Sequence, residues 1–343
     1  SLFGRYITNQ NIEILLEKFV SNFKVSTIGH SVEKRPIFSL NLGRGNTKIL
    51  LWSQMHGNES TTTKALFDLL NVFSNDKLSG ILDNCTLLII PILNPDGAEK
   101  YTRVNANGVD LNRDAQDLSQ PESVVLRHCF DGFKPDYCFN LHGQRTIFGA
   151  GTTGNSATLS FLAPAEDKKR SVTKTRKKAV SVIVDINNNI KKDLPNAVGR
   201  YDDGFNINCV GDTFQSSGVP TILYEAGHYK NDYDREQTRL FVFKSLIYSL
   251  KSIVNRVEVE NFEAYFDIPQ NEKNFYDVII RNSKLLESAK STVDIAIQYK
   301  EVLEDGNIKF IPFVEKIESL ENYFAHKEID AEGDLVLDQD DNV

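Results

Sequence analysis

The sequence predicts a three-layer α/β/α domain with a mixed central sheet, followed by a small β-rich module. Residues 48–53, 86–93, 136–143 and 221–225 form apolar runs of strand length, which are typical of strands buried on both faces. These runs alternate with segments whose apolar residues have helical spacing. At 343 residues, 41% of them hydrophobic, the chain is long enough to bury one large core and carry a second, smaller unit.

The predicted elements of the domain follow one another in chain order. Apolar spacing predicts a helix over residues 9–23, and alternation predicts a strand hairpin over 26–31 and 36–42. The buried strand at 48–53 leads into a helix that runs to about residue 74, with Ser and Thr at 60–63 as candidate caps. After the strand at 86–93, Pro121 opens a helix that reaches about residue 130. Long helices over 168–192 and 234–254 complete a domain that we place at residues 1–256.

The pattern changes beyond residue 256. Alternating apolar and polar residues predict strands at 276–281, 293–303 and 308–314, with a turn at 304–307. We therefore predict a small β-rich accessory module at residues 257–343. The chain ends in an acidic stretch whose spacing does not match an EF-hand, so we predict a solvated acidic tail. Its acidic residues are Asp330, Glu332, Asp334, Asp338, Asp340 and Asp341.

The sequence His56-Gly57-Asn58-Glu59 begins three residues after the end of the strand predicted at 48–53. An imidazole and a carboxylate three residues apart on a loop leaving a strand can bind one cation from the same side. A catalytic zinc site needs three protein ligands and an open position for water, so this pair predicts a third ligand. His142 ends another apolar run and is the candidate. The alternative is a structural histidine hydrogen-bonded to a glutamate at a helix N-terminus.

Four further motifs lie between or beside these ligands. They are Arg35-Pro36-Ile37 in the N-terminal segment, Asn94-Pro95-Asp96-Gly97, Asp110-Leu111-Asn112-Arg113 and Gln120-Pro121-Glu122-Ser123. A last apolar strand ends at Glu225. With these motifs in this order, the chain resembles the zinc carboxypeptidase family, the M14-type metallocarboxypeptidases, over about residues 1–255. The resemblance implies a carboxypeptidase-like α/β/α fold.

The resemblance also implies a role for each matching residue. His56, Glu59 and His142 would bind one Zn²⁺ ion per chain. Asn112 and Arg113 would hold the terminal carboxylate of a peptide or peptide-like small substrate. Arg103 would polarise the scissile carbonyl group, and Glu225 would act as general base.

The chemistry of these side chains agrees with the implied roles. A guanidinium group can donate two parallel hydrogen bonds to a planar carboxylate, which favours Arg113 as the carboxylate-binding residue. Its alternative is a loop arginine that bridges Asp110 or Asp114. A partly buried glutamate can move the proton between attacking water and leaving amine, whereas the alternative for Glu225 is an ion pair with a nearby lysine.

Three classes of function are compatible with this pattern. The first is a zinc-dependent metallocarboxypeptidase. The second is an N-deacylase of acyl amino acids that resembles aspartoacylase or succinylglutamate desuccinylase, whose metal site also uses His-Gly-Asn-Glu. The motifs at residues 35–37, 94–97 and 120–123 favour the peptidase. The third is a non-catalytic binding protein, and the full ligand set together with Glu225 argues against it.

Composition excludes several other classes. The net charge of −8 argues against nucleic acid as the main partner. A basic run from Lys168 to Lys178 is predicted to be a solvated helix face rather than an anion-binding patch. No apolar run is long enough to span a membrane. The four cysteines, Cys85, Cys129, Cys138 and Cys209, lack metal-binding spacing and are predicted to be reduced.

The sequence says less about where the protein is located and which substrate side chain it prefers. No signal peptide is visible, which predicts a cytoplasmic location, although a chain that begins with Ser1 is also compatible with a removed signal. Secreted relatives carry a mobile tyrosine before the last catalytic strand. Tyr201 stands in that region, but the loop length differs. If Asp212-Thr213-Phe214 corresponds to the family's Asp followed by an aromatic residue, the resemblance implies that the position that sets side-chain preference is the uncharged Gly211. No pattern indicates an oligomeric state.

Overall fold

The computed structural model describes residues 2–75, 77–255, 262–285 and 292–336. Its helices are α1 (Asn9–Phe19), α2 (Thr61–Ser74), α3 (Ser79–Asn84), α4 (Pro95–Lys100), α5 (Pro121–Phe133), α6 (Lys174–Ile190), α7 (Val210–Ser216) and α8 (Glu236–Val254). Short 3₁₀ helices occur at Leu111–Arg113 and Phe262–Tyr265.

The strands belong to a large sheet, a two-stranded ribbon and a smaller sheet. They are β1 (Lys24–His30), β2 (Pro36–Gly43), β3 (Thr47–Ser53), β4 (Cys85–Ile90), β5 (Tyr137–Gly143), β6 (Phe148–Ala150), β7 (Leu159–Leu162), β8 (Val198–Arg200), β9 (Thr221–Ala226), β10 (Asn271–Lys273), β11 (Phe275–Ser283), β12 (Val293–Glu304), β13 (Asn307–Glu318) and β14 (Phe324–Asp330).

The central sheet has eight strands in the order β1-β2-β4-β3-β5-β9-β7-β8. The middle strands β4, β3, β5 and β9 are parallel to one another, whereas β1, β2 and β7 introduce antiparallel pairs. The predicted mixed sheet is therefore confirmed. Because parallel strands share a direction, the carboxyl ends of β3, β5 and β9 meet at one edge.

Alternation along strand β3 separates two apolar cores. Ile49 and Leu51 face a core formed with helices α1, α2, α6 and α8, while Leu50 and Trp52 face a core formed with α5 and α7. All four side chains are fully buried. A strand with apolar residues at consecutive positions can face a helix layer on each side, and this confirms the predicted three-layer α/β/α fold.

Several element boundaries differ from the prediction. Helix α1 ends at Phe19 rather than residue 23. Strand β4 ends at Ile90, directly before Pro91, which cannot donate to a sheet ladder. Helix α2 has the expected bounds, but its N-cap residue Ser60 makes no capping hydrogen bond and donates instead to the carbonyl of Arg5.

The interpretation of the basic run as a solvated helix face is confirmed for Lys174, Lys177 and Lys178, which are exposed on α6, but is wrong for residues 168–170 and for Arg176. Residues 168–170 precede helix α6, which begins after Thr173, whose hydroxyl accepts a hydrogen bond from the Arg176 backbone. Arg176 is fully buried, and its guanidinium contacts the Asp203 carboxylate at 2.6 Å and the Ala163 carbonyl at 3.1 Å. A buried partner distant in sequence therefore fixes this arginine.

The C-terminal residues form the predicted β-rich sheet, in the order β13-β12-β11-β14. Strand β14, which runs parallel to β11, was not predicted because its residues Phe324–Asp330 are mostly polar and half-exposed. The boundary predicted at residues 256–257 lies outside the described residues, as do Asp338, Asp340 and Asp341 in the acidic stretch. The division into two domains stays a prediction.

The C-terminal sheet contacts the larger domain beside its central sheet. Strand β10 pairs with β6, a short strand that follows His142 in the chain. Both carboxylate oxygens of Glu301 contact the Arg5 guanidinium, at 2.8 and 2.9 Å. Gln298 and His326 bond to the hydroxyl and carbonyl of Thr146, at 2.7 and 2.8 Å.

Two further predictions concern membranes and cysteines. None of the helices in the described ranges has both the length and the apolar character needed to cross a bilayer. Cys85 and Cys138 are buried, Cys129 and Cys209 are half-buried, and all four are free thiols, as predicted.

Candidate active site

The predicted catalytic residues lie at one edge of the sheet, at or just after the ends of three neighbouring strands. His56 and Glu59 follow β3, His142 lies near the end of β5, and Glu225 lies near the end of β9. His142 and Glu225 are directly paired in the parallel register of β5 and β9. Adjacent strands therefore place a histidine and a carboxylate side by side.

His56, Glu59 and His142 form a compact cluster with a possible ligand atom from each residue. All of these atoms lie within 4.8 Å of one another. One Glu59 oxygen is 2.9 Å from His56 Nδ1, and the other is 3.0 Å from His142 Nδ1. The two Nδ1 atoms are 3.1 Å apart. This convergence of two imidazoles and one carboxylate from separate elements is a donor set that suits zinc.

The surroundings of His56 also suit a metal ligand. Its second ring nitrogen, Nε2, is 3.0 Å from a carboxylate oxygen of Asp110. A proton held on Nε2 by Asp110 leaves the lone pair of Nδ1 directed at the cluster. Although burial opposes a charge on the ring, the carboxylates of Glu59 and Asp110 raise the pKa of His56 to about 9. The site therefore has a negative potential, which favours a cation.

Glu225 is buried beside this cluster. One of its carboxylate oxygens, Oε2, has no hydrogen-bond partner among the described residues, and no lysine pairs with it there. Burial and the neighbouring Glu59 carboxylate raise the pKa of Glu225 well above its ordinary value. A carboxyl group with an unused oxygen and a raised pKa can accept and return a proton.

Arg103 lies at the mouth of the cluster, with about half of its side chain exposed. Its Nε donates to Asp110 at 3.1 Å, and Nη1 is 3.5 Å from a Glu59 oxygen. The same carboxylate, Asp110, thus contacts both His56 and Arg103. A positive group is thereby held next to the metal-ligand cluster, where a substrate oxygen can approach it.

Asn112 and Arg113 lie on the 3₁₀ turn Leu111–Arg113, which Asp110 begins by accepting a hydrogen bond from the Asn112 backbone. The Asn112 side-chain oxygen accepts from the Val210 backbone at 3.0 Å. Arg113 Nη1 donates to the Asn112 carbonyl at 2.7 Å and contacts Cys209 Sγ at 3.2 Å. In the described part of the chain, Arg113 forms no ion pair, so the alternative of a bridge to Asp110 or Asp114 is not what the structure contains.

The other sequence motifs support this site without lining it. Asp96 accepts hydrogen bonds from the Ser31 hydroxyl and the Arg35 guanidinium, both at 2.7 Å, which joins residues 31–35 to helix α4. Gln120 and Glu122 both accept from the Asn105 amide, at 2.9 and 3.1 Å. Asn105 lies two residues after Arg103, so this motif anchors the loop that carries the arginine.

Sequence reasoning missed Asn140, although a signal was present. Asn140 precedes His142 by two residues and therefore lies on the same face of strand β5. Its side chain is fully buried, and neither of its amide atoms has a hydrogen-bond partner among the described residues. A Cβ atom added at Gly211 would lie 3.8 Å from the Asn140 amide nitrogen. An unpaired buried amide that lines the same cleft as Arg113 is suited to bind part of a substrate.

These residues line one cleft of about 780 Å³, a size suited to a small ligand or short peptide. Tyr201 also lines it and packs against Phe148, with ring centroids 5.6 Å apart. Asp212 forms part of the wall, and burial raises the pKa of this carboxyl to about 6. A further wall is formed by Lys273 on strand β10 and by residues of the C-terminal sheet, namely Gln298, Tyr299, Lys300, Glu301 and Phe313.

Comparisons with known proteins agree with this architecture. Mouse carboxypeptidase D is 31% identical over 148 residues, which cover 36% of this chain and 11% of the mouse protein. Carboxypeptidase SOL1 of Arabidopsis thaliana is 29% identical over 167 residues, covering 41% of this chain and 34% of that protein. The chain therefore matches only a minor part of the length of these relatives.

Structural comparison supports the fold. Carboxypeptidase A from Helicoverpa armigera superposes with a TM-score of 0.59 at 17% sequence identity, covering 74% of this chain and 75% of that one. The sequence model that describes zinc carboxypeptidases, Peptidase_M14, matches residues 8–243. That range is more than half of the chain and includes the His56, Glu59 and His142 cluster, which can hold a metal ion. This chain belongs to the zinc carboxypeptidase family.

Proposed function

We propose that this protein is a zinc-dependent metallocarboxypeptidase that removes C-terminal residues from peptides. The observation that carries the proposal is the position of Arg113, which lines the same cleft as the metal-ligand cluster and has no carboxylate partner among the described residues. A guanidinium group that is available in a hydrolytic cleft selects substrates with a free carboxylate.

His56, Glu59 and His142 would hold one zinc ion per chain. Their donor atoms converge, and Asp110 holds the outer nitrogen of His56 in hydrogen-bond contact. Zinc bound by three protein ligands lowers the pKa of water to about 7 and polarises a carbonyl group. The protein contributes the orientation of the ligands and the burial that excludes bulk water.

Glu225 would take the proton from the attacking water and return it to the nitrogen of the leaving amine. Its free Oε2 atom and its raised pKa support that role. The Arg103 guanidinium would donate to the carbonyl oxygen as negative charge develops there. Asn112 and Arg113 would fix the substrate's terminal carboxylate and so place the last peptide bond against Glu225.

The competing proposal is an N-deacylase that acts on acyl amino acids, and substrate comparison tests the two. We expect the zinc-loaded protein to hydrolyse N-blocked di- and tripeptides faster than N-acetyl or N-succinyl amino acids. The Glu225→Gln variant, purified in parallel, is the control that excludes a contaminating peptidase. Faster hydrolysis of the acyl amino acids would overturn the carboxypeptidase proposal in favour of the deacylase.

A further inference from the structure

One wall of the cleft is cationic, and its three cations come from separate elements: Arg145 follows strand β5, Lys273 lies on β10, and Lys300 lies on β12 of the C-terminal sheet. Arg145, Lys273 and Lys300 line the cleft with exposed side chains. Among the described residues, none of the three forms an ion pair or a side-chain hydrogen bond. The chain as a whole carries a net charge of −8, so an excess of basic residues does not explain why three unpaired cations line one cleft.

The acidic residue of this wall is already neutralised. Glu301 contacts the Arg5 guanidinium through both oxygens and accepts a hydrogen bond from the Tyr101 hydroxyl. Arg235 also lines the cleft, and its buried guanidinium donates to the backbone carbonyls of Ala226 and Gln144 rather than to a carboxylate. A buried cation without a carboxylate contact adds to the positive potential of the cleft.

The loop that carries Arg145 is held in place from several sides. Its neighbour Gln144 accepts hydrogen bonds from Asn271 at 2.8 Å and from Arg235 at 2.6 Å. Thr146 is bonded to Gln298 and His326, as described above. Arg145 lies three residues after His142, so these contacts hold the backbone on either side of Arg145 near the end of strand β5. A backbone held in this way can present the exposed Arg145 side chain to a ligand in the cleft.

The wall and the proposed carboxylate site are built on different elements. Asn112 and Arg113 contact Val210 and Cys209, whereas residues 144–147 contact the C-terminal sheet and Arg235. A peptide whose last carboxylate is held by Arg113 extends from it only in the N-terminal direction. The remaining cleft, with its cationic wall, therefore receives residues on the N-terminal side of the scissile bond.

From this geometry we propose that the substrate is an acidic peptide, with a carboxylate side chain N-terminal to the scissile bond that is bound by Arg145, Lys273 and Lys300. This inference rests on the proposed carboxypeptidase function and specifies its substrate class. The wall lies partly in residues 271–313, beyond the range of the family match at residues 8–243. Lys273 and Lys300 thus lie outside the matched range, whereas Arg145 lies within it.

Binding to the zinc-loaded Glu225→Gln variant tests this proposal without turnover. The probes are two labelled, N-blocked tetrapeptides with a free C-terminus that differ only by glutamate or glutamine at the two positions before the scissile bond. A single exposed ion pair changes an equilibrium constant by up to about fivefold, so we expect the glutamate peptide to bind about tenfold more tightly at low ionic strength. Added salt should reduce the difference.

Substitution of the wall should remove this preference. We combine Arg145→Gln, Lys273→Gln and Lys300→Gln with Glu225→Gln. The two dissociation constants should then agree within about twofold, because binding of only the glutamate peptide is weakened. Lys327→Gln is the control, because Lys327 is an exposed lysine of the C-terminal sheet, as Lys300 is, but does not line the cleft. Equal binding of the two peptides before substitution would overturn the proposal, as would a preference that survives the triple substitution.

Turnover by the parent enzyme separates this inference from the proposed function. If both peptides are cut and bound equally, the acidic-peptide inference fails and the carboxypeptidase proposal stands. If the glutamate peptide binds preferentially but neither peptide is cut, the carboxypeptidase proposal fails and the cationic wall stands as a binding site. Binding of neither peptide would overturn both.

Discussion

Asp110 contacts two residues of the site with its two carboxylate oxygens: Oδ1 lies 3.0 Å from His56 Nε2, and Oδ2 lies 3.1 Å from Arg103 Nε. One carboxylate therefore orients both a proposed metal ligand and the proposed carbonyl-polarising arginine. Burial opposes its charge, but the hydrogen bond from His56 and the positive charge of Arg103 hold the pKa of Asp110 well below its ordinary value. Asp110 is ionised when the site is in use, and it thereby fixes the ring orientation of His56.

The first prediction follows from this contact. Asp110→Asn should weaken zinc binding by about 10- to 100-fold, since loss of a carboxylate behind a ligating histidine typically has that effect. Competition with a chromogenic chelator measures the change. Asp117→Asn, an exposed aspartate on the same loop, is the control and should bind zinc like the parent. Equal affinities in all three proteins would contradict the proposed role of Asp110.

The second prediction concerns the metal ligands themselves. His142→Ala removes one of three ligands, so we expect loss of both bound zinc and activity. Elemental analysis of the purified protein measures the metal content. His128→Ala, on the exposed face of helix α5, should keep one zinc ion per chain. Full zinc occupancy in the His142→Ala protein would show that the metal is held elsewhere.

The third prediction separates the general base from the ligands. Glu225→Gln preserves size and removes the proton acceptor, so kcat should fall by ~10²- to 10⁴-fold while zinc content stays at the parent level. Steady-state kinetics and elemental analysis on one preparation give both values. Activity within a few-fold of the parent would mean that another group moves the proton.

The fourth prediction concerns the pH dependence of stability. Burial raises the pKa of Asp212 from 3.8 to about 6, so the folded state binds this proton more tightly than the unfolded state. Its contribution to stability is present below about pH 4 and is lost as the pH rises through 6. Asp212→Asn should therefore be more stable than the parent at pH 8, by up to about 3 kcal/mol, and equally stable near pH 4. Denaturant unfolding at both pH values measures this; parallel pH profiles would contradict it.

Much of the fold and part of the site could be predicted because their signals are local. Buried strands appear as apolar runs, and His56 and Glu59 are three residues apart at a strand end. Since parallel strands end at one edge, His142 and Glu225 could be placed near them from sequence. The face shared by Asn140 and His142 followed from the same alternation, but a buried asparagine in an apolar strand gave no chemical motif.

The remaining features depend on contacts between residues distant in sequence. Arg176 lies in a basic run that resembles a solvated face, and only its contact with Asp203 reveals that it is buried. The wall formed by Arg145 and Lys300 required knowledge of where the C-terminal sheet packs. No periodicity in residues 276–314 indicates that packing, because the contacts with the larger domain are individual pairs of residues distant in sequence, such as Arg5 with Glu301 and Tyr233 with Phe310.

The central claim is that Arg113 selects substrates with a free C-terminal carboxylate, and amidation of the substrate tests it most directly. A hydrogen bond to a charged group contributes ~1.5 to 3 kcal/mol, so the zinc-loaded enzyme should cut a free peptide at least ~10-fold better in kcat/KM than its C-terminal amide. Arg113→Ala should remove that difference by lowering activity on the free acid. Arg103→Ala should depress both substrates alike, because both develop the same negative charge on the carbonyl oxygen. Equal kcat/KM values for the acid and the amide in the parent enzyme would contradict the carboxypeptidase assignment, even with zinc bound.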